Sequence, residues 1–287
     1  MMLTVYLQQG KGGDIASAFG GGSSQAAFGA RSGATVLSRA TTVCAVLFMV
    51  LALALGIVLA ASAGASRPRC SGLPQGDDPV HLNPAQFSAR INNRRWPMTV
   101  GSRWVYRVVD TADGSVQRDV IRVTRRTKMI ADGIEARVVS DIVSDHGKPT
   151  EVTRDWYAQD SHGNVWYFGE HTVEYRHGKP IDNGSWEAGV DGAMPGVALP
   201  AKPKVGCSYR EEYSKGVAED QSRVLALDEQ AQVPAGHYRD VLMTEDFSPI
   251  EPGVSELKFY AKGSGQAALA VDVSGGSDME QLVKYTH

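Results

Sequence analysis

Cysteine is scarce in this 287-residue sequence, with Cys44, Cys70 and Cys207 the only three. No Cys-x-x-Cys pair occurs, so no local thiol motif points to redox or metal chemistry. The Gly-x-Ser-x-Gly elbow of a serine hydrolase is missing as well. Net charge is small, −3, which removes the electrostatic footprint expected of a nucleic-acid binder. The charge is also uneven. Residues 1–66 hold one acid, Asp14, against Lys11, Arg31 and Arg39, while residues 67–287 carry 26 basic and 31 acidic side chains. A slightly basic stub therefore precedes a mildly acidic region, and acidity of that size speaks for solubility. Cys44 lies in an apolar run and serves there as a small hydrophobe. Cys70 and Cys207 are the only two that could bridge outside that run. A disulfide fits an extracytoplasmic region and two free thiols fit any other, because spacing alone carries no geometry.

Residues 43–61 contain no charge at all. As a helix these nineteen residues span roughly 28 Å at about 1.5 Å per residue, close to the thickness of a bilayer core. Leu, Val and Ala cover every face, which separates the run from an amphipathic core helix. Arg39 flanks one end, and Arg67 and Arg69 the other. The small residues at 61–65 resemble a signal-peptide cleavage site. However, the run is long for a signal h-region, and some forty Gly/Ser-rich residues precede it. A transmembrane helix is the expectation. Its orientation is ambiguous from charge, because arginines sit on both sides.

The residues before the run are rich in Gly, Ser and Ala, the composition of a flexible linker. Gly10-Lys11-Gly12 lacks the Gly-x4-Gly-Lys-Ser/Thr spacing of a phosphate loop, so nucleotide binding is not expected. Taken in order, Gln8-Gln9-Gly10-Lys11-Gly12, Phe19-Gly20, Phe28-Gly29 and Leu37-Ser38-Arg39, followed by the apolar run, resemble SecG. SecG is the small membrane subunit of the bacterial Sec preprotein translocase. The resemblance covers about residues 3–62. It implies a two-helix hairpin with a cytoplasmic loop at 10–40 and both termini outside. It also implies SecY and SecE as channel partners, a functional link to SecA, and residence in the bacterial inner membrane with residues 67–287 on the extracytoplasmic side. It implies neither an active site nor a cofactor. Phe19 and Phe28 would anchor the loop on a partner. A SecG-type protein has a full first helix before this motif, whereas six residues precede Leu7 here. The expectation is a start site placed too late or a truncated copy.

The pattern changes after a Pro/Gly-rich linker at 63–84. Period-two alternation marks strands near 102–109, 116–123, 136–143, 164–168, 224–227, 241–244 and 255–260. Asp113-Gly114, Asp132-Gly133, His162-Gly163, His177-Gly178, Asn183-Gly184 and Ala235-Gly236 supply turns. No helix of ten residues is evident. Residues 85–287 are expected to form one mainly antiparallel β domain of about ten strands, as a curved sheet, sandwich or open barrel.

All five tryptophans, Trp96, Trp104, Trp156, Trp166 and Trp186, fall in this region and are expected mostly in its core. A ligand groove lined by Trp156, Tyr157, Trp166 and Tyr167 is the alternative. His171 and His177 share strand parity but stand roughly 20 Å apart on a straight strand at about 3.3 Å per residue, too far to hold one metal. Asp155, Asp160, Glu170 and Glu174 read as solvated turn acids, with a hydrolytic carboxylate pair as the alternative. No catalytic, metal or cofactor residue is assigned. The functional expectation is a SecG-like accessory of protein export fused to a β domain. The alternative is a membrane-tethered binding protein whose β domain is the working part.

Overall fold

The computed structural model describes residues 72–130 and 133–287. The apolar run at 43–61 and the Gly-rich stretch before it lie outside them. Among the described residues no helix is long and apolar enough to cross a membrane.

The described chain is almost wholly β, with one short 3-10 turn at Pro84–Gln86. It begins with three two-residue strands: β1 (Phe87–Ser88), β2 (Ile91–Asn92) and β3 (Pro97–Met98). Five longer ones follow: β4 (Arg103–Asp110), β5 (Val116–Met129), β6 (Glu135–Asp145), β7 (Lys148–Asp160) and β8 (Val165–Arg176). Then come β9 (Lys179–Asp182), β10 (Trp186–Glu187), β11 (Met194–Leu199), β12 (Ser208–Arg210) and β13 (Glu212–Tyr213). The last five are β14 (Gln221–Val233), β15 (Gly236–Phe247), β16 (Ser255–Tyr260), β17 (Ala267–Ser274) and β18 (Asp278–Thr286).

β4 to β8 form one antiparallel meander and β14 to β18 a second. The C-terminal strand β18 pairs along β4 and joins them. At the far side, β12 pairs with β14 while β13 pairs with β11, which lies on β8. One short segment, 208–213, thus reaches both free edges, and the sheet is a nearly closed, barrel-like structure. Closure suits a sheet of this length because it hides backbone groups that open edges would expose.

The seam depends on a close backbone approach. A Cβ added to Gly196 of β11 would stand 2.3 Å from the backbone carbon and oxygen of Glu211. Only glycine admits that contact. Arg210, with no exposed surface, locks the same place. Its guanidinium donates to the carbonyls of Gly76 (2.8 Å), Asp78 (2.9 Å) and Pro195 (2.9 Å). The second half of the stretch read as a linker is therefore fastened to the barrel. Gln75 Nε2 also donates to the Ser208 carbonyl at 2.6 Å, and Leu73 and Leu82 pack on the core.

The hairpin of β2 and β3 fills the barrel at one end. Trp96, just before β3, meets Tyr157 of β7 at 5.3 Å and Tyr260 of β16 at 6.0 Å, strands from the two different meanders. Trp104, Val123, Leu242 and Leu282 complete this apolar plug. All five tryptophans are buried, as their size and apolar surface dictate.

Candidate functional site

Directly opposed residues of antiparallel strands share a face, so register shows which side chains enter the barrel. Tyr106 of β4 opposes Asp119 of β5. Asp141 of β6 opposes Thr153 of β7, which opposes Thr172 of β8. Asp155 opposes Glu170. In the second meander, Asp246 opposes Glu256, which opposes Asp272, while Lys258 opposes Thr244 and Ala270. Ala270 opposes Glu280, which opposes Val108 and closes the ring. The lumen is thus apolar at the hairpin end and carboxylate-rich at the other.

The carboxylates outnumber the cations. Lys258 Nζ lies 2.8 Å from Asp246 and 3.3 Å from Glu256. Burial works against its charge, but the two carboxylates outweigh it and hold the pKa well above the ordinary lysine value. Asp119, Asp141 and Glu280 form a carboxyl cluster that meets little positive charge, with Lys258 acting on Glu280 and the Ile142 backbone N–H on Asp141. Burial pushes all three up, and contact with Asp141 and Glu280 raises Asp119 further.

A second pair sits nearer the plug. The Tyr167 hydroxyl is 2.9 Å from both Asp155 Oδ1 and Glu170 Oε2, and its ring stacks on Tyr157 at 4.8 Å. Burial raises both carboxyls, Glu170 to about 6. Glu151, Asp141 and Asp155 face Glu170 as further acids, with Thr172 and Tyr167 as hydrogen-bond partners. These two are therefore not solvated turn acids. Asp160 and Glu174 are turn and rim groups, bonded to Asn164 and to Asn183 respectively.

The raised carboxyls give stability a sign with pH. Their folded pKa values exceed the unfolded ones, so the native state keeps protons that the unfolded chain releases. That stabilisation is complete below the unfolded value near 4.3 and is lost as pH rises through about 6 at Glu170. A shift of this size corresponds to about 2 kcal/mol. From Glu170 alone about 1.3 kcal/mol of this separates pH 5 from pH 7.5, so thermal unfolding of the full chain in mild detergent should show a midpoint roughly 3–5 °C higher at pH 5. Glu170→Gln should shrink that difference by the Glu170 share, leaving what Glu280, raised to about 7, contributes.

The four aromatics proposed for one groove are divided by strand alternation. Tyr157 and Tyr167 point into the lumen. Trp156 and Trp186 line another cavity of about 750 Å³ with Arg126, Lys128, Arg154 and Lys215, and Glu170 borders it as well. Lys128 Nζ stands 3.4 Å over the Trp156 ring and 2.6 Å from Glu187. Trp166 instead donates to Asp160 Oδ2 at 2.9 Å and meets Phe87 edge-on. His171 lies 3.7 Å from Asp182, and His177 sits in a turn with φ 53°. Among the described residues, no three His, Cys, Asp or Glu side chains are arranged to hold a metal ion.

Cys207 is buried and disulfide-bonded. Both other cysteines, Cys44 and Cys70, lie outside the described residues, as do Gln8, Gln9, Gly10, Lys11, Gly12, Phe19, Gly20, Phe28, Gly29, Ser38 and Arg39.

Sequence comparison addresses that N-terminal part. The family model of the preprotein translocase SecG subunit matches residues 1–72. The protein-export membrane protein SecG of Aquifex aeolicus (strain VF5) is 41% identical over 58 residues, 20% of this chain. Residues 1–72 are SecG-like. The match spans 57% of that relative's length. For the whole chain, an exported-type protein with a YmcC-like fold from Bacteroides fragilis NCTC 9343 aligns with a TM-score of 0.38 and 14% identity. That alignment covers 67% of this chain and 98% of the other. A β-barrel-like protein of a domain of unknown function from Brucella abortus aligns at 0.31 and 13%, covering 69% and 98%.

Proposed function

We propose that this chain is a SecG-like accessory subunit of the Sec protein-export channel, packed beside SecY and SecE, assisting SecA-driven translocation, and carrying a β-barrel on the extracytoplasmic side of the inner membrane. The match of residues 1–72 to SecG carries this reading. The ordered motifs from Gln8 to Arg39 and the uncharged run at 43–61 support it. The reading gives the barrel no catalytic role.

The bonded state of Cys207 supports the placement of the barrel, because disulfides persist in oxidising compartments outside the cytoplasm. The reading pairs Cys207 with Cys70. Gly72 and Leu73 border the same cavity as Cys207, and Pro74 accepts a hydrogen bond from the backbone of Arg210, so the chain two residues beyond Cys70 already runs beside β12.

Tagged full-length protein extracted in mild detergent should retain SecY and SecE, and a preparation that retains neither overturns the translocase role. A reporter active only in the cytoplasm, fused after His287, should be silent, and activity there overturns the orientation. The acidic lumen favours a second reading, in which the SecG-like part tethers a ligand-binding barrel.

A further inference from the structure

We infer that the acidic end of the barrel lumen binds an organic cation, a primary ammonium or guanidinium group on an aliphatic stem. The cavity there measures about 380 Å³. Nine carboxylates line it against one cation, Lys258, which Asp246 and Glu256 already engage. Asp119 marks its floor. That side chain is 3% exposed, and its Oδ1 accepts no hydrogen bond. Asp141 Oδ1 is buried and equally without a donor. A buried acceptor left without a donor costs about 1–3 kcal/mol, more when charged, and two such oxygens facing one cavity define a site complementary to N–H donors and positive charge.

The shape narrows the ligand class. The cavity is about ten times the ~30 Å³ that one water occupies, so it suits a side-chain-sized group better than a bare ion. The described carboxylates also do not converge as a metal site. Val108, Val143, Phe247 and Val254 form its walls among the acids. Apolar walls around a carboxylate floor match a methylene stem that ends in a cationic head. The raised carboxyls of Asp119, Asp141 and Glu280 agree with this: burial raises all three, and the one nearby cation, Lys258, lowers only Glu280 and does not offset it.

Two sources share this chemistry, a basic residue of a peptide and a free polyamine. Isothermal titration of full-length protein in mild detergent, with N-acetylated tetralysine amide and with spermidine, tests the site and separates them. At least one probe should bind, the tighter one naming the source, and affinity should fall at least tenfold in Asp119→Asn and in Glu280→Gln. Both substitutions are isosteric, and each should keep or raise the thermal midpoint by removing an uncompensated carboxyl. Wild-type affinity should also weaken as salt rises from 50 to 300 mM, a readout that needs no variant. Absence of binding by both probes, affinity unchanged in both variants, or calcium chloride displacing the bound amine stoichiometrically would each overturn the proposal.

Discussion

Replacing Arg210 by alanine is expected to lower the stability of the barrel by about 3–5 kcal/mol, since hydrogen bonds to a charged donor contribute about 1.5–3 kcal/mol each and the packing of its stem is lost as well. Arg210 is fully buried and donates to three carbonyls from two separate segments of the chain: Gly76 and Asp78 in the strap, and Pro195 in β11. Removing it leaves the buried Pro195 oxygen without that donor, where the desolvation penalty is not recovered, and frees the part-buried Gly76 and Asp78 oxygens of the strap. The same residue ties the 73–78 strap to β12 and reaches β11, so truncation loosens the strap and the barrel closure together. Thermal unfolding followed by circular dichroism should show a midpoint lower by about 10 °C for a domain of this size. Arg210→Lys should recover only part of the loss, because one ammonium cannot span three carbonyls that a planar fork reaches. A midpoint within 2 °C of wild type for Arg210→Ala would remove the seam from the account of stability.

Replacing Cys207 by serine is expected to have a comparable effect, about 2–5 kcal/mol in oxidised protein. Cys207 is bonded and immediately precedes β12. A bridge from there to Cys70 would close a loop of well over a hundred residues, and long loops gain most because the bridge limits the unfolded chain. Three observations check this. Cys70→Ser should match Cys207→Ser, the double variant should be no worse than either single one, and a reductant should bring wild type down to the variants. If Cys70→Ser leaves the midpoint unchanged, the proposed pairing fails. Gly196→Ala, at the same seam, tests closure without touching charge or thiol. The added methyl meets the Glu211 backbone at 2.3 Å and should cost more than the typical surface substitution.

Strand pairs that begin and end where alternation is apolar were legible in the sequence. β16 coincides with the expected 255–260, and β4 differs from the expectation by one residue at each end. The turns behave the same way. Gly114, Gly163, Gly178 and Gly184 all take positive φ between 75° and 90°, as their Asp-Gly, His-Gly and Asn-Gly contexts require. β7 was not legible. Its inward residues include Thr153, Asp155 and Tyr157, so a polar lumen removes the apolar-polar contrast on which the reading depends. β18 hides for the same reason, with Asp278 and Glu280 facing inward before Leu282. The signal that could have revealed both was carboxylates at inward parity, Glu151 and Asp155 in β7 and Asp278 and Glu280 in β18.

The sequence by itself determined the SecG-like character of the N-terminal segment, the uncharged run at 43–61, and an antiparallel β class for the rest. Each is written in local order or local periodicity. Tertiary structure alone decided that the sheet nearly closes, that 208–213 is the seam, and that half of the linker is bound to it. It also decided that acids scattered from Asp119 to Glu280 share one lumen. Strand register sets which distant residues become neighbours, and register follows from long-range pairing that no local window contains.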